Sequence, residues 1–416
     1  MSEATDVYRR DVAAAERFAR LGEGRYRLDV PEAGITLDLD RLRRESHALW
    51  GELTVRCELP GARTYNGILS AGDFNLSSVR ARQDRAKHLG ERADAPDLDF
   101  STLLEELAQR TIAAEREGVP LVLLRDIPRP APDEARMVDG LPLLVRHPMI
   151  GFGDGGTFKS YLGLYMLGRL EQQGIRCALY DWELDAPDHR DRLERLFGSD
   201  MPAVRYHRCQ APLVDLADRI RRDVRDEGLG YVLLDSVAFG CDGPPEESDT
   251  VRRYFQALRS IGPVGSLNIA HMSKADGSDM KPFGSVFWYN GARSIWYFKL
   301  ADGDPAAVTV GLFHRKANTG PKRPPIGWEV RFGDGEGDDG IIRVRSVSVA
   351  DTPDLAAGLS VRQRMAHLLK QGAMTPEILA EELGAKVDTV NRTARRYRQQ
   401  FTILPGGSLG LLGRTS

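Results

Sequence analysis

The run Gly153-Asp154-Gly155-Gly156-Thr157-Phe158-Lys159-Ser160 limits what this chain can fold into more than any other stretch. It follows the apolar residues Met149–Phe152 and opens the apolar-periodic segment Tyr161–Leu170, so strand, glycine-rich turn and helix succeed one another without a gap. In that order the glycines let successive backbone N–H groups converge on one point, and the new helix adds the positive end of its dipole. The point so made is a phosphate site. Lys159 is spaced to reach the β- and γ-phosphates of a nucleotide, and the Ser160 hydroxyl to hold Mg²⁺. Position 158 departs from the usual pattern, which has glycine before the lysine. A Cβ and a ring there require either negative φ or a strained loop.

Two further segments bear on the same site. Arg176–Tyr180 reads as a short strand after the helix stop at Gly174, and it ends in Asp181-Trp182-Glu183. Tyr231–Leu234 reads as a fully buried parallel strand with Asp235 at its carboxyl end. Open α/β sheets bind ligands beyond the carboxyl ends of their strands, so Lys159, Glu183 and Asp235 converge on one edge. Asp235 is placed to bind Mg²⁺ through water, and Glu183 to polarise the water that attacks the γ-phosphate. Each carboxylate alone reads equally as a solvated strand end or a helix cap. The three features in order point to binding and hydrolysis of ATP with Mg²⁺.

Around this site the chain alternates helix (161–171, 188–197, 213–227, 249–261) with strand (176–180, 203–207, 231–235, 265–270). That alternation predicts an α/β core over 141–350 with a parallel sheet and right-handed crossovers. Late strands at Ser294–Lys299 and Val308–His314 have no helix between them and predict an antiparallel extension, and the acidic stretch Phe239–Asp249 reads as a mobile loop near the nucleotide. Residues 1–140 read as an α+β module, with a helix around Val12–Leu21, strands at Tyr26–Val30, Ile35–Leu39 and Leu49–Glu58, and a helix at Leu98–Glu117. Within it, Phe74–Ser78 and the basic run Arg80–Lys87 suit either nucleic-acid contact or a solvated helix face, the second being favoured. Asp351–Gly358 reads as a linker.

Residues 359–416 carry a pattern of their own. Val361–Lys370 is amphipathic, Thr375-Pro376 is a strong helix start leading into Glu377–Leu383, Gly384 turns the chain, and Asp388–Gln400 is a third helix before the hairpin Phe401–Leu412. Three helices and a hairpin make a winged helix-turn-helix, whose third helix enters the major groove of duplex DNA. Lys386, Arg392, Arg395, Arg396 and Arg398 are its candidate DNA contacts, against the alternative of a protein-docking module with a solvated basic face.

From Met149 to about Phe332 the chain resembles the RecA-type ATPase core of the RepA/DnaB-like hexameric helicases, a group that includes many "AAA family ATPase" proteins of phages, plasmids and integrated elements. The matching pieces are Gly153–Ser160, Leu179–Glu183, Tyr231–Asp235, Asn268–Lys274, Gly284-Ser285 leading into Asn290–Ser294, and Phe313–Gly320. An aromatic before the loop lysine also occurs in that group. The resemblance implies a RecA-like P-loop NTPase fold and a homo-oligomeric ring, six-membered in that group. It gives His271 a γ-phosphate sensor position, although a strand-end histidine reads equally as a packing residue. Arg315, Lys316 and Arg323 stand where the group presents cations to the neighbouring subunit's nucleotide, with a surface charge run as the equal alternative. Lys274 stands in the loop that lines the single-stranded DNA channel. Trp288, Tyr289 and Trp296 fit the core better than a stacking platform.

Composition fixes the remaining expectations. A chain of 416 residues, 42% hydrophobic and 28% charged, is of ordinary globular make-up. Its net charge of −3 gives no global nucleic-acid signal, so DNA contacts must come from local patches. Cys57, Cys177, Cys209 and Cys241 show no paired or zinc-binding spacing and read as reduced thiols. No run is apolar enough to span a bilayer, and Met1–Arg20 is polar rather than signal-like, so a cytoplasmic location is expected. The expectation is an ATP-driven DNA helicase or translocase of a mobile element acting as a ring. The alternative is a DNA-binding ATPase switch (a regulator, loader or recombination mediator) that assembles with ATP without unwinding.

Overall fold

The computed structural model describes residues 17–22, 24–118, 121–129, 135–271, 286–318, 320–333 and 340–412. The chain divides into two compact units, Met1–Arg129 and Pro130–Ser416.

The first unit is built on alternation. Strands β1 (Phe18–Gly22), β2 (Arg25–Val30), β3 (Ile35–Glu45), β4 (Ala48–Cys57) and β5 (Ile68–Asn75) pair in sequence order as an antiparallel meander. Every second residue of β2 and β4 is buried, which gives the sheet one apolar face. Helices Val79–Ala93 and Phe100–Glu117 complete the core through Leu89, Leu103, Leu104 and Leu107. The predicted helix over 12–21 is corrected in its described part. Phe18–Gly22 is strand, because Phe18 pairs with Leu28 across the sheet and stacks on Tyr26. Phe74 and Leu76 are buried, and Ser78 caps the first helix by accepting from the Ala81 amide, so Phe74–Ser78 is a strand end and a cap. The neighbouring basic run binds its own chain: Arg82 pairs with Glu105 at 2.7 Å, and Arg85 donates to the Asp73 carbonyl.

In the second unit a short hairpin, β6 (Ala135–Val138) and β7 (Leu141–Leu144), precedes β8 (Pro148–Gly153). A nine-stranded sheet follows: β9 (Cys177–Asp181), β10 (Arg205–Arg208), β11 (Tyr231–Asp235), β12 (Gly265–His271), β13 (Ser294–Leu300), β14 (Ala307–Ala317), β15 (Ile326–Arg331) and β16 (Arg343–Val347) join β8. The order is β10-β9-β11-β12-β8-β13-β14-β15-β16, parallel as far as β13 and antiparallel from there on. The fold is thus mixed α/β with a large, mostly parallel sheet, as the alternation predicts. Its inner strands are buried on both faces. Ile150, Phe152, Tyr180, Val232 and Leu234 pack under helices Leu213–Asp226 and Ser248–Ser260. Met149, Leu179, Tyr231 and Leu233 pack under Lys159–Gln172 and Ala186–Phe197.

Three features differ from expectation. β15 and β16 extend the sheet beyond the predicted late strands. The segment 239–249 is a short helix end and turns leading into the helix Ser248–Ser260. Pro353–Ala356, expected as linker, is helical, and it buries Leu355 in the core.

The last helices, Val361–Leu368, Pro376–Leu383 and Val387–Arg396, surround Met365, Leu379, Val390 and Phe401 with the small sheet of β17 (Phe401–Ile403) and β18 (Leu409–Leu411). Ser360 and Gln363 form a reciprocal capping box, Thr375 caps the second helix ahead of Pro376, and Gly384 ends it at φ 57°. The third helix stops at Arg396, short of the predicted Gln400, so Arg398 lies in the turn beyond it. Among the described residues no helix is long and apolar enough to cross a membrane.

Candidate nucleotide site

β8 lies between β12 and β13, and the glycine-rich loop leaves its carboxyl end. Gly153 is required there, since an added Cβ would overlap the Phe298 carbonyl oxygen of β13. At Gly155 and Gly156 an added Cβ would meet nothing within 4 Å, so the outer side of the loop is open. Thr157 Oγ1 donates to the Asp154 carbonyl at 2.9 Å, closing the turn. Phe158 takes the strained option of the two that its side chain allowed: φ is 59° and ψ is 20°, in the left-handed region. Its ring packs at 5.5 Å from that of Phe332.

Lys159 is buried with its ammonium turned back into the loop. It donates to Gly153 O at 3.0 Å, Asp154 O at 2.6 Å and Thr157 Oγ1 at 3.1 Å. Burial lowers its pKa, while the charges of Asp235, Asp154 and Glu183 work the other way. The next residue, Ser160, hydrogen-bonds Asp235. Asp235 is itself buried at the end of β11, and burial, reinforced by Asp181 and Glu183 nearby, pushes its pKa up to about 7 against the Ser160 bond.

Glu183 lies just past β9, with His271 Nε2 4.0 Å from its carboxylate. His271 pairs with Gly153 across β12 and β8, so it adjoins the first residue of the loop. Burial and the Lys159 charge depress its pKa, with Glu183 opposing. The edge therefore brings together Lys159, Ser160, Asp235, Glu183 and His271.

Asp181 and His189 were not visible as site residues in the sequence. Asp181 is almost fully buried and pairs with Asp235 across β9 and β11. It accepts from the Glu183 amide at 3.0 Å, the Leu184 amide at 2.8 Å and His189 Nε2 at 2.6 Å. Burial would raise its pKa, but these bonds outweigh burial and hold it low. The carboxylate thus fastens the turn that presents Glu183. The one available signal was the doubled acid in Asp181-Trp182-Glu183.

Arg315, Lys316 and Arg323 are not brought to the loop. β14 runs antiparallel to β13, and Lys316 pairs with Ile295, which pairs with Ile150 inside β8, well back from the loop. Lys316 donates to the carbonyls of Tyr289, Asn290 and Ala292, and Arg315 lies over the rings of Tyr297 and Phe313. The Arg323 amide donates to His314 Nδ1 at 3.0 Å. Any nucleotide contact from these residues is to another subunit. Lys274 lies outside the described residues. Trp288 and Trp296 are core, as expected. Lys386, Arg392, Arg395, Arg396 and Arg398 are all exposed, with Arg392 bonded to Asp388.

No family model matches this chain, and no curated protein matches it. Among solved structures it is similar to the ATPase domain of a DnaB-like helicase, at 13% identity and a TM-score of 0.37, over 46% of this chain and 84% of that one.

Proposed function

We propose that this chain is a RecA-type P-loop ATPase that hydrolyses ATP at Gly153–Ser160 and acts on DNA as an oligomeric helicase or translocase. The observation that carries the proposal is the meeting of Lys159, the Ser160–Asp235 pair and the Glu183–His271 pair at the carboxyl edge of the parallel strands. The residues fit the groups they would hold. The Lys159 ammonium has loop carbonyls as partners, which an arriving phosphate can replace. Ser160 and Asp235 would hold Mg²⁺, a hydroxyl and one carboxylate being a usual protein share when phosphates and water complete the shell. The bound ion would supply charge neutralisation on the phosphate oxygens.

Hydrolysis then needs little covalent chemistry from the protein. Glu183 accepts a proton from water as the water oxygen bonds to the γ-phosphorus. The bridging P–O bond to the β-phosphate breaks, and its electrons leave with ADP. Asp181 keeps the Glu183 turn in place, and His271 contacts the same carboxylate from the β12 side. At the other end of the unit, the three terminal helices and their hairpin form a winged helix-turn-helix whose exposed Lys386 and Arg392 face duplex DNA.

Two substitutions test the ATPase assignment. Lys159→Ala should abolish both nucleotide binding and turnover. Glu183→Gln, which keeps shape but cannot take a proton, should leave binding intact and lower turnover by roughly a hundredfold or more. Full turnover in Glu183→Gln would move the catalytic base elsewhere, and unchanged affinity in Lys159→Ala would end the P-loop assignment.

A second reading is favoured by Lys316, whose ammonium is held by carbonyls of its own chain rather than offered to a neighbour. In that reading the protein is a DNA-bound ATPase switch that assembles with ATP and does not separate strands. Fork unwinding that requires ATP hydrolysis supports the motor. Nucleotide-dependent assembly without unwinding supports the switch.

A further inference from the structure

Away from the nucleotide site, a groove of about 1230 Å³ runs between the terminal helices and the segment 347–350 that follows the edge strand. Arg362, Lys370, Arg395, Arg396 and Arg398 line it, and no aspartate or glutamate does. This is unusual for a chain of net charge −3 whose other arginines are largely paired, as in Arg27 with Asp38, Arg205 with Glu171 and Arg345 with Glu329. Among the described residues none of the five groove cations lies within 4.0 Å of a carboxylate oxygen. Asp351, the nearby acid, is engaged by His367 at 3.0 Å.

Helix stability accounts for part of this cluster only. Cations at a helix carboxyl end offset its dipole, which covers Arg395 and Arg396. Arg362 is the second residue of its helix, at the end where a cation is disfavoured. Its guanidinium lies 4.6 Å from the centre of the Tyr397 ring, and that of Arg396 lies 5.6 Å from the same ring. Tyr397 therefore holds two like charges near each other at the mouth of the groove, an arrangement that an anion would relieve.

We infer that this groove binds single-stranded nucleic acid, its cations tracking the phosphates. The volume exceeds the roughly 300–1,000 Å³ of small-molecule sites, which argues for a polymer. A concave channel admits one strand, whereas a duplex presents its phosphates on a convex surface and meets outward residues such as Lys386 and Arg392 instead. Gln363, Gln399 and Gln400 add amide donors and acceptors along the wall, and ordered guanidinium planes offer the bases a stacking partner. The inference rests on the DNA-acting reading above and adds a second path to it.

The test uses the full chain, a fluorescein-labelled dT20 strand, a mixed-sequence 20-base-pair duplex, and anisotropy across a salt series. Lys370→Gln with Arg398→Gln removes two exposed cations that pack against no ring. Two lost phosphate contacts at about 0.7 counterions each should flatten the dT20 salt slope by about 1.4, or roughly 25-fold in affinity at 0.1 M salt. Duplex affinity and DNA-free ATP turnover should stay unchanged. Arg362→Gln, checked by circular dichroism for folding, should flatten the slope by about 0.7. Unchanged dT20 affinity and slope in the double variant, with wild-type duplex binding intact, would overturn the groove alone. Wild-type protein that binds neither strand nor duplex would overturn the DNA reading together with it.

Discussion

The left-handed backbone at Phe158 makes a stability prediction whose sign depends on that backbone. Truncating Phe158 to Ala removes a half-buried ring and its contact with Phe332 at 5.5 Å. A fully buried Phe→Ala change costs about 3–5 kcal/mol, so a half-buried one costs roughly 2 kcal/mol, with about 0.5–1.5 kcal/mol more for the aromatic pair. Phe158→Gly loses the same contacts but is released from the left-handed penalty at φ 59°, worth about 1–2 kcal/mol. Against that gain stands the extra freedom of glycine in the unfolded chain, about 0.4–1 kcal/mol. Both variants should therefore be less stable than the parent, with Gly above Ala by about 0.5–1 kcal/mol, the reverse of the usual helix ranking. Urea denaturation followed by tryptophan fluorescence can resolve this, because four of the five tryptophans (182, 288, 296 and 328) lie in the second unit. Equal m-values are needed for the comparison. An Ala variant as stable as the Gly variant would mean that residue 158 does not hold positive φ in solution. Because the loop's backbone is kept, the Gly variant should also retain MgATP binding.

Other residues carry shorter tests. Asp181→Asn gives up charge-assisted acceptance from two amides and His189, so it should lose about 1.5–3 kcal/mol of stability and lower kcat far more than it weakens ATP binding; equal effects on both would make Asp181 merely structural. Burial, with Lys322 and Arg323 nearby, depresses the His314 pKa to about 4, so the folded protein binds fewer protons than the unfolded chain between about pH 4 and 6.5. Stability should consequently fall as pH is lowered across that window, by no more than about 3 kcal/mol from this group, and His314→Gln should show a flatter loss of melting temperature from about pH 6.5 to 4.5 than wild type. Lys386→Gln with Arg392→Gln should make the duplex salt slope shallower by up to about 1.8, less whatever Asp388 already neutralises at Arg392; an unchanged slope would make the terminal helices a protein-docking module.

Much of the sheet was legible because its inner strands are short, continuous apolar runs bounded by glycine or by a charge, as in Tyr231–Asp235. The strands that went unread are those whose reason lies elsewhere in the chain. β16 exposes Arg343 and Arg345 and reads as a polar loop, yet it pairs along β15 and is fastened by Arg345 to Glu329 at 2.7 Å. Phe18–Gly22 has a helical pattern locally and is strand because β2 offers it a partner and Tyr26 a ring to stack on. The third terminal helix was read four residues too long, since nothing in Arg398–Gln400 forbids helix. Tyr397 ends it at φ −114° and ψ 50°, and the hairpin strand β17 takes over from Phe401.

The same division runs through the site. Gly153–Ser160 is nearly self-contained: its turn, the Thr157 closure and the Lys159 contacts join residues within six positions of one another, so sequence order alone conveys most of the geometry. Even there the sign of φ at Phe158 could not be read, because it depends on a ring contact with Phe332 on the far side of the sheet's late strands. Asp181 owes its role to a histidine eight residues away on the next helix and to burial beside β11, neither of which leaves a local pattern. The groove is further removed still. Its walls come from Pro324 and Pro325, from 347–350 and from the first and third terminal helices, so the absence of any acid among them becomes visible only once the chain has folded. The arginines of the third helix looked in sequence like one basic face for duplex DNA. In the structure Arg395 and Arg396 border the groove with Arg362 and Lys370 from the first helix, while Arg392 stays outside it, held by Asp388. A run of charges thus separates into two surfaces, and separate variants on each can tell a strand-binding channel from a duplex-binding face.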